Sequence, residues 1–443
     1  MITHTTLYSN LHEVLLADYL FIDNSNKLVE LVHRLDETPV HSNANVFLLN
    51  RPRGFGLSLA VQAICEILTQ DDSENRKHSE EKTKTVIAKR HVLTLNLKKV
   101  KAKTPRDFSQ ALITRLQELY WEHHIEARIS PYDTPKTIFS NLLWQLYQRH
   151  HEPTVVLIDN YDIPFIITSD MEEQYRLESI SIYLEMLNVL RHSHDSVRWC
   201  LLTGHIKFAL ASELSEGIPY ANDLSNDPIC ETLFGFTREE VMSTFSAKIK
   251  RFADERGITK EEYLDLLEKC YGGFSFSDNL VKVMCPACIS HAFNNNGILC
   301  TYSAGGDYTF LKKVLRDREN DLEWLYERDG QDPLFSNCID TSPKSKDLGT
   351  LLIQLGFATR DKVTLYDHQG YATWRYRFVM PNEDMKRTLD IITGLESPDK
   401  AFEPISFPED ILREDETDTG SSESQTTLPN VQHNTEDKDE EKK

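Results

Sequence analysis

Among the 443 residues, no apolar run approaches the roughly 18 needed to span a bilayer, so no membrane span is expected. The N-terminal MITHTTLYSNLHEVLL has no basic segment followed by an apolar stretch and a small-residue cleavage site, so a secretory signal is not expected either. Positive charge is scarce. Lys and Arg number 49 against 70 Asp and Glu, a net charge of −21. Residues 401–443 hold thirteen acidic and four basic side chains, so the deficit extends through the preceding 400 residues. A phosphate-backbone binder needs a clustered basic surface, and this balance disfavours nucleic acid as a partner. The eight cysteines are scattered rather than framed, which fits reduced thiols and a cytoplasmic setting. Export as an effector stays open at this point.

Four apolar runs read as buried strands: 45–50 (NVFLLN), 91–97 (HVLTLNL), 154–160 (TVVLIDN) and 197–204 (VRWCLLTG). Continuous apolar runs fit a parallel sheet covered on both faces. Helical periodicity lies between them, at 58–70, 107–123 and from Thr134-Pro135 to about His150, where Thr is the N-cap and Pro sits in the first turn. This alternation indicates an α/β sandwich. Residues 71–85 form a polar loop. Past Gly204 the pattern becomes helical, with a capping box at Thr237-Arg238-Glu239-Glu240 opening 238–256, then 259–270. Residues 345–390 read as a small α+β unit in which LGTLLIQLGFATR passes from helix to strand and YATWRYRFVM is its partner strand. From about 405 the chain is polar and acidic, the composition of a disordered tail.

The first strand runs into Asn50-Arg51-Pro52-Arg53-Gly54-Phe55-Gly56-Leu57-Ser58-Leu59 and then a helix. Strand, glycine turn and helix N-terminus together aim backbone N–H groups at an anion. A full Walker A loop reads G-x-x-x-x-G-K-[ST]. Gly56 and Ser58 stand in register with it, Arg51 stands at its first Gly, and Leu57 at its Lys. Taken alone, the loop also fits a plain turn shaped by Gly54 and Gly56. The third strand adds the second half of the pattern: VVLID places Asp159 at its carboxyl end, where a Walker B aspartate supports Mg2+ through the loop hydroxyl. The next residue is Asn160, whose amide can hold a water but cannot take its proton.

RPRGFGLSL, LIDNYDIPF, LLTGHIKFA, LFGFTREEV, YGGFSF and MPNEDM occur in an order and spacing that resembles the AAA-ATPase-like family, whose members often carry a PD-(D/E)XK nuclease module. The matching family segments look like RPRRFGKSL, LIDEYDAP, LTG, FGFTEEEV, WYDGYRF and PNEEV. The resemblance spans about residues 15–390. It implies a P-loop NTPase, AAA-like parallel sheet sandwich over 1–235, a helical lid over 236–335, a small α+β winged-helix-like unit over 336–400 and a disordered acidic tail over 401–443.

It also implies that Arg53, Gly54, Phe55, Gly56, Leu57, Ser58, Leu59 and Thr203 surround a nucleotide. Ser58 and Asp159 would hold Mg2+, Thr203 would sense the terminal phosphate, and Arg51 and Arg53 would frame the loop. Departures are Leu57 for Lys, Asn160 for Glu, and Asp23-Asn24-Ser25 at an early Asp-Lys-Thr-like element. No Asp followed by Glu-x-Lys on a strand lies beyond Met385, so no nuclease is assigned.

A lost charged hydrogen bond costs roughly 1.5–3 kcal/mol, or about 10- to 100-fold in affinity. A lost general base costs about 10²–10⁴ in rate. The expectation is therefore a pseudo-ATPase that binds ATP and Mg2+ weakly and acts through a protein partner. An active ATPase with a non-standard phosphate contact, from Lys98 or Lys207, is the alternative. Cys285-Pro-Ala-Cys288, with Cys270, His291 and Cys300 near it in sequence, is weighed as a zinc site; the resemblance instead implies a strand-to-helix turn there, with Pro286 as its proline. His192, His194 and Asp195 read as solvated surface, and the pairs His123-His124 and His150-His151 as helix ends.

Overall fold

The computed structural model describes residues 24–39, 45–69, 87–193, 195–210, 218, 221–315, 322, 325, 348–368 and 371–406. The polar loop expected over 71–85, the tail beyond 406, and Asp23 and His194 lie outside them. Strands β1 (Val46–Asn50), β2 (Val92–Asn96), β3 (Thr154–Asp159), β4 (Val197–Gly204) and the two-residue β5 (Asn222–Asp223) form one sheet in the order β2-β3-β4-β1-β5. Every neighbouring pair in it is parallel. All residues of β1 and β3 are buried, as the unbroken apolar runs require of strands covered on both faces.

The covering helices fall into two groups. Helix α1 (Ser25–Asp36) packs on α2 (Leu57–Thr69), which turns Leu57, Val61, Ile64 and Leu68 inward at helical spacing. Helices α3 (Pro105–Glu122), α4 (Pro135–His150) and α6 (Glu173–His192) pack on one another, with the short α5 (Ile163–Thr168) following β3. Thr104 and Thr134 cap α3 and α4, each with proline in the first turn. Helix α6 and β5 had no counterpart in the sequence reading. Helix α6 buries ten residues over 20, too many for a polar stripe to show its period. The two residues of β5 are polar and exposed.

The later part opens with α7 (Arg238–Arg256) and α8 (Lys260–Tyr271), each started by a capping box; Gly257 closes α7 at φ +69°. Helices α9 (Pro286–Asn294), α10 (Thr309–Leu315) and α11 (Leu348–Leu355) follow. Then come the antiparallel hairpin of β6 (Thr359–His368) and β7 (Tyr371–Val379), and α12 (Glu383–Thr393). Among the described residues no helix is long and apolar enough to cross a membrane.

One carboxylate ties α1 to the sheet. Asp36, the last residue of α1, accepts from Arg90 Nε and Nη2 at 3.2 and 2.6 Å, from Arg198 Nε at 3.4 Å and from the buried Trp199 Nε1 at 3.2 Å. Burial opposes its charge, but the Arg90 hydrogen bonds, with Trp199 and Arg198 beside them, hold the carboxyl below its ordinary range. Asp36→Asn is expected to cost about 2–3 kcal/mol in urea unfolding, because it strands two partly buried guanidinium groups. The Asp36 contribution is present above the ordinary carboxylate range and is lost as pH falls through the lowered value. The variant should therefore lose less stability than the wild type on acidification.

Candidate functional site

The carboxyl ends of β2, β3, β4 and β1 finish in register: Asn96 opposite Asp159, Asp159 opposite Thr203, and Asn50 opposite Gly204. The residues just past these ends therefore crowd one edge of the sheet, where open α/β sheets place their ligands. The chain leaves β1 through residues 51–56 and enters α2 at Leu57. Gly54 and Gly56 have φ of +87° and +76°, a conformation that side chains resist. A Cβ on Gly54 would lie 2.7 Å from Cys285 Sγ, whereas one on Gly56 would meet nothing within 4 Å. The loop is thus packed on one side and open on the other. The first intrahelical bond of α2 runs from Ala60 N–H to Gly56 C=O at 3.0 Å. The N–H groups of Gly56, Leu57, Ser58 and Leu59 find no partner among the described residues. Four such donors at a helix start are an anion cradle.

Arg51 frames the loop from the core side and does not line the cradle. It is 1 % exposed. Its Nη1 donates to the carbonyls of Asn50 and Ser225 at 2.9 and 2.7 Å, and its Nη2 to Cys230 C=O at 2.7 Å. The guanidinium lies 4.2 Å from the Phe276 ring centroid. Burial lowers its pKa to about 10, which leaves it charged at neutral pH. It is a strut under the loop. Phe55 is buried edge-on against Phe274 and Phe276 at 5.0 and 5.1 Å, and Leu57 is 5 % exposed. Arg53 is exposed, and Ser58 and Leu59 are half-buried.

At the end of β3, Asp159 is 4 % exposed. Its Oδ1 accepts from Thr203 Oγ1 at 2.9 Å and its Oδ2 from Asn96 Nδ2 at 2.8 Å, and Ser58 also hydrogen-bonds the carboxylate. Burial raises its pKa, and the Ser58 and Thr203 hydrogen bonds offset part of the rise. The fold thus brings Ser58, Asp159 and Thr203 together. Asn160 follows at φ +59°, a left-handed conformation that asparagine tolerates, with its Nδ2 3.5 Å from Asn96 Oδ1. Asp162 is fully buried, and its Oδ2 accepts the N–H groups of His205 and Ile206 at 2.8 and 2.9 Å. The second aspartate of the IDNYD segment therefore holds the chain beyond β4 rather than facing a ligand.

Lys207, a candidate for reaching into the loop, is buried and ion-paired with Asp223 of β5. That engagement removes it as the alternative phosphate contact weighed from the sequence. Lys98 is exposed just past β2, its N–H donating to Asn96 Oδ1 at 2.9 Å. Two residues escaped the sequence reading. Asn96 is legible only once β2 and β3 are known to pair, and His205 only once the chain beyond β4 is seen to return to Arg51. His205 Nδ1 lies 3.0 Å from the Arg51 carbonyl oxygen.

Cys285 caps α9 and packs on Gly54; Ala287 N–H donates to Gly54 C=O at 3.1 Å. Cys288 Sγ donates to Asp384 Oδ2 at 3.6 Å, and burial pushes its thiol well above the ordinary value. His291 Nε2 lies 3.2 Å from Cys300 Sγ, and Cys270 is buried in α8. Among the described residues no group of three or more His, Cys, Asp or Glu side chains could hold a metal ion. His150 ends α4 stacked 3.5 Å from His91, and His151 is the left-handed cap of that helix.

Residues 8–213 match the AAA-ATPase-like family model, described as a predicted AAA-ATPase. No curated protein matches the chain.

Arg51→Ala is expected to destabilise the fold by roughly 3 kcal/mol or more, since it removes a buried charge and strands three carbonyls. Thermal unfolding measures this directly. A variant that keeps its unfolding temperature but loses nucleotide affinity would make Arg51 a ligand contact instead of a strut.

Proposed function

We propose that this AAA-ATPase-like domain is a pseudo-ATPase: it binds Mg-nucleotide weakly, turns it over slowly or not at all, and serves as a protein-interaction scaffold or nucleotide-stabilised switch. The observation that carries the reading is the convergence of the Ser58 hydroxyl, the Asp159 carboxylate and the Thr203 hydroxyl beside four unpartnered N–H groups. The donor set suits the ligand. One hydroxyl and one carboxylate, all oxygen, match the way Mg2+ is held with several of its waters retained, and the N-terminus of α2 suits phosphate. Ser58 and Asp159 would hold the ion, Gly54 to Leu59 would wrap the phosphates, Arg53 would lie at their rim, and Thr203 would face the terminal phosphate. Bound Mg2+ would supply charge neutralisation there.

The grip and the base are what is missing. Leu57 turns its side chain inward and offers no charge, and Asn160 offers an amide where hydrolysis needs a carboxylate. A second reading, an active ATPase with a displaced phosphate contact, draws on the exposed Lys98 beside Asn96.

Calorimetric titration of the full chain with Mg-ATP, paired with a turnover assay, separates the two. We expect measurable binding that is abolished by Asp159→Ala, and turnover equal to that of the Asp159→Ala variant. Turnover clearly above that control would sink the pseudo-ATPase reading. Leu57→Lys is expected to tighten Mg-ATP binding about tenfold or more while leaving turnover low, because Asn160 still cannot accept a proton. Since burial raises the Asp159 pKa, Mg2+-dependent binding should be lost on acidification below the range in which histidines titrate, but sooner than an ordinary carboxylate would allow.

A further inference from the structure

Of the basic side chains near the loop, Arg51 is withdrawn into the core, Lys207 is paired with Asp223, and Arg53 and Lys98 are exposed. His205 differs from all four: the fold holds its backbone and one ring nitrogen, and the other ring nitrogen is left over. It directly follows Gly204, the last residue of β4, the strand between β1 and β3. Its backbone N–H donates to the fully buried Asp162 at 2.8 Å, which fixes where the side chain starts. Its Nδ1 then lies 3.0 Å from the Arg51 carbonyl, at the root of the loop. A carbonyl only accepts, so Nδ1 carries the proton. Nε2 is left with no protein partner among the described residues, on a half-exposed ring. Two residues back, Thr203 holds Asp159. His205 makes no hydrogen bond to Asp159 or Ser58, yet its charge helps to keep Asp159 ionised. An imidazole with one nitrogen tied down by a carbonyl and the other free is an oriented donor when protonated.

We infer that His205 Nε2 contacts the terminal phosphate of a bound Mg-nucleoside triphosphate, supplying in its imidazolium form the charge that Leu57 lacks. The inference rests on the nucleotide-binding reading and makes it selective. On this inference a nucleoside triphosphate makes the contact and a diphosphate, lacking the third phosphate, does not. The contact also depends on protonation. The charged groups facing the ring are Asp162 under its backbone and Asp159 across Thr203. The Arg51 guanidinium is turned away toward Ser225 and Cys230, and Lys207 is neutralised by Asp223.

The test is titration of the full chain with Mg-ATP and with Mg-ADP between about pH 6 and pH 8.5, the interval in which histidine side chains change charge. Wild type, His205→Gln and His205→Lys are compared. Wild-type affinity for Mg-ATP is expected to rise about tenfold as pH falls, with a much smaller change for Mg-ADP. His205→Gln should bind Mg-ATP weakly with that dependence removed, and so subtract the ligand's own protonation. His205→Lys should bind tightly across the range, a rescue that a purely structural role for the ring would not allow. Binding that requires Asp159 but ignores both variants and pH would overturn the inference while leaving the nucleotide reading intact. Absence of binding to either nucleotide in the wild type would overturn both.

Discussion

A carboxylate at 4 % exposure must be hydrogen-bonded or lose its charge, and Asp159 meets that demand with donors drawn from three other elements. Thr203 comes from β4, Asn96 from β2 and Ser58 from the first turn of α2. None of these contacts is local in sequence. They exist because the parallel register brings the strand ends level, so that opposite residues of neighbouring strands become hydrogen-bond partners. A one-residue slip of β3 would point Asp159 to the other face of the sheet and leave Asn96 and Thr203 without a shared acceptor. The polar cluster and the apolar sheet therefore specify each other. The Val, Leu and Ile runs determine which residues reach the edge, and the edge residues penalise every other register.

The loop over this cluster is held from below and from the side. Below it, Arg51 gathers carbonyls from Asn50, Ser225 and Cys230, joining the end of β1 to the chain that leaves the sheet. At its side, Cys285 and Ala287 at the start of α9 close against Gly54. Gly356 reaches the same loop from beyond α11, where an added Cβ would sit 2.9 Å from Pro52. Parts of the chain more than two hundred residues downstream thus complete the packing of a motif near the start. This explains why the loop needs glycine at 54 for space as well as for backbone freedom, whereas Gly56 needs it for freedom alone.

The sheet strands were legible because each is a continuous apolar run, and the cores of α2, α3 and α4 because their faces are periodic or their caps explicit. The capping boxes of α7 and the Thr134 cap of α4 stand where Thr and Pro placed them. Helix α6 was missed because it is buried on most sides, and β5 because two polar residues carry no pattern. At the site, glycines, Ser58 and Asp159 are readable from spacing, since they lie at fixed offsets from a strand end. Arg51 was legible only as framing the loop, and the distant Ser225 and Cys230 carbonyls reveal that it does so as a buried strut. Asn96 and His205 depend wholly on strand order, which no local window encodes.

Leu57 and Asn160 make a different kind of sense when the domain is considered without nucleotide. A lysine at position 57 would carry a charge into a site 5 % exposed, and only a bound phosphate would offset its desolvation. Leucine contributes about 1.5–3 kcal/mol of burial with no ligand required. Asn160 likewise suits its left-handed backbone better than a longer acid would, and it adds a contact to Asn96. Each replacement moves stability from the ligated state to the free one. Ligand-linked stabilisation scales with the logarithm of ligand concentration over Kd, so under the proposed function a weak site on a self-sufficient loop would neither rescue nor unfold the domain when nucleotide levels change. Any nucleotide response it retains must then come through the few groups that still face the cradle, rather than through the order of the whole domain.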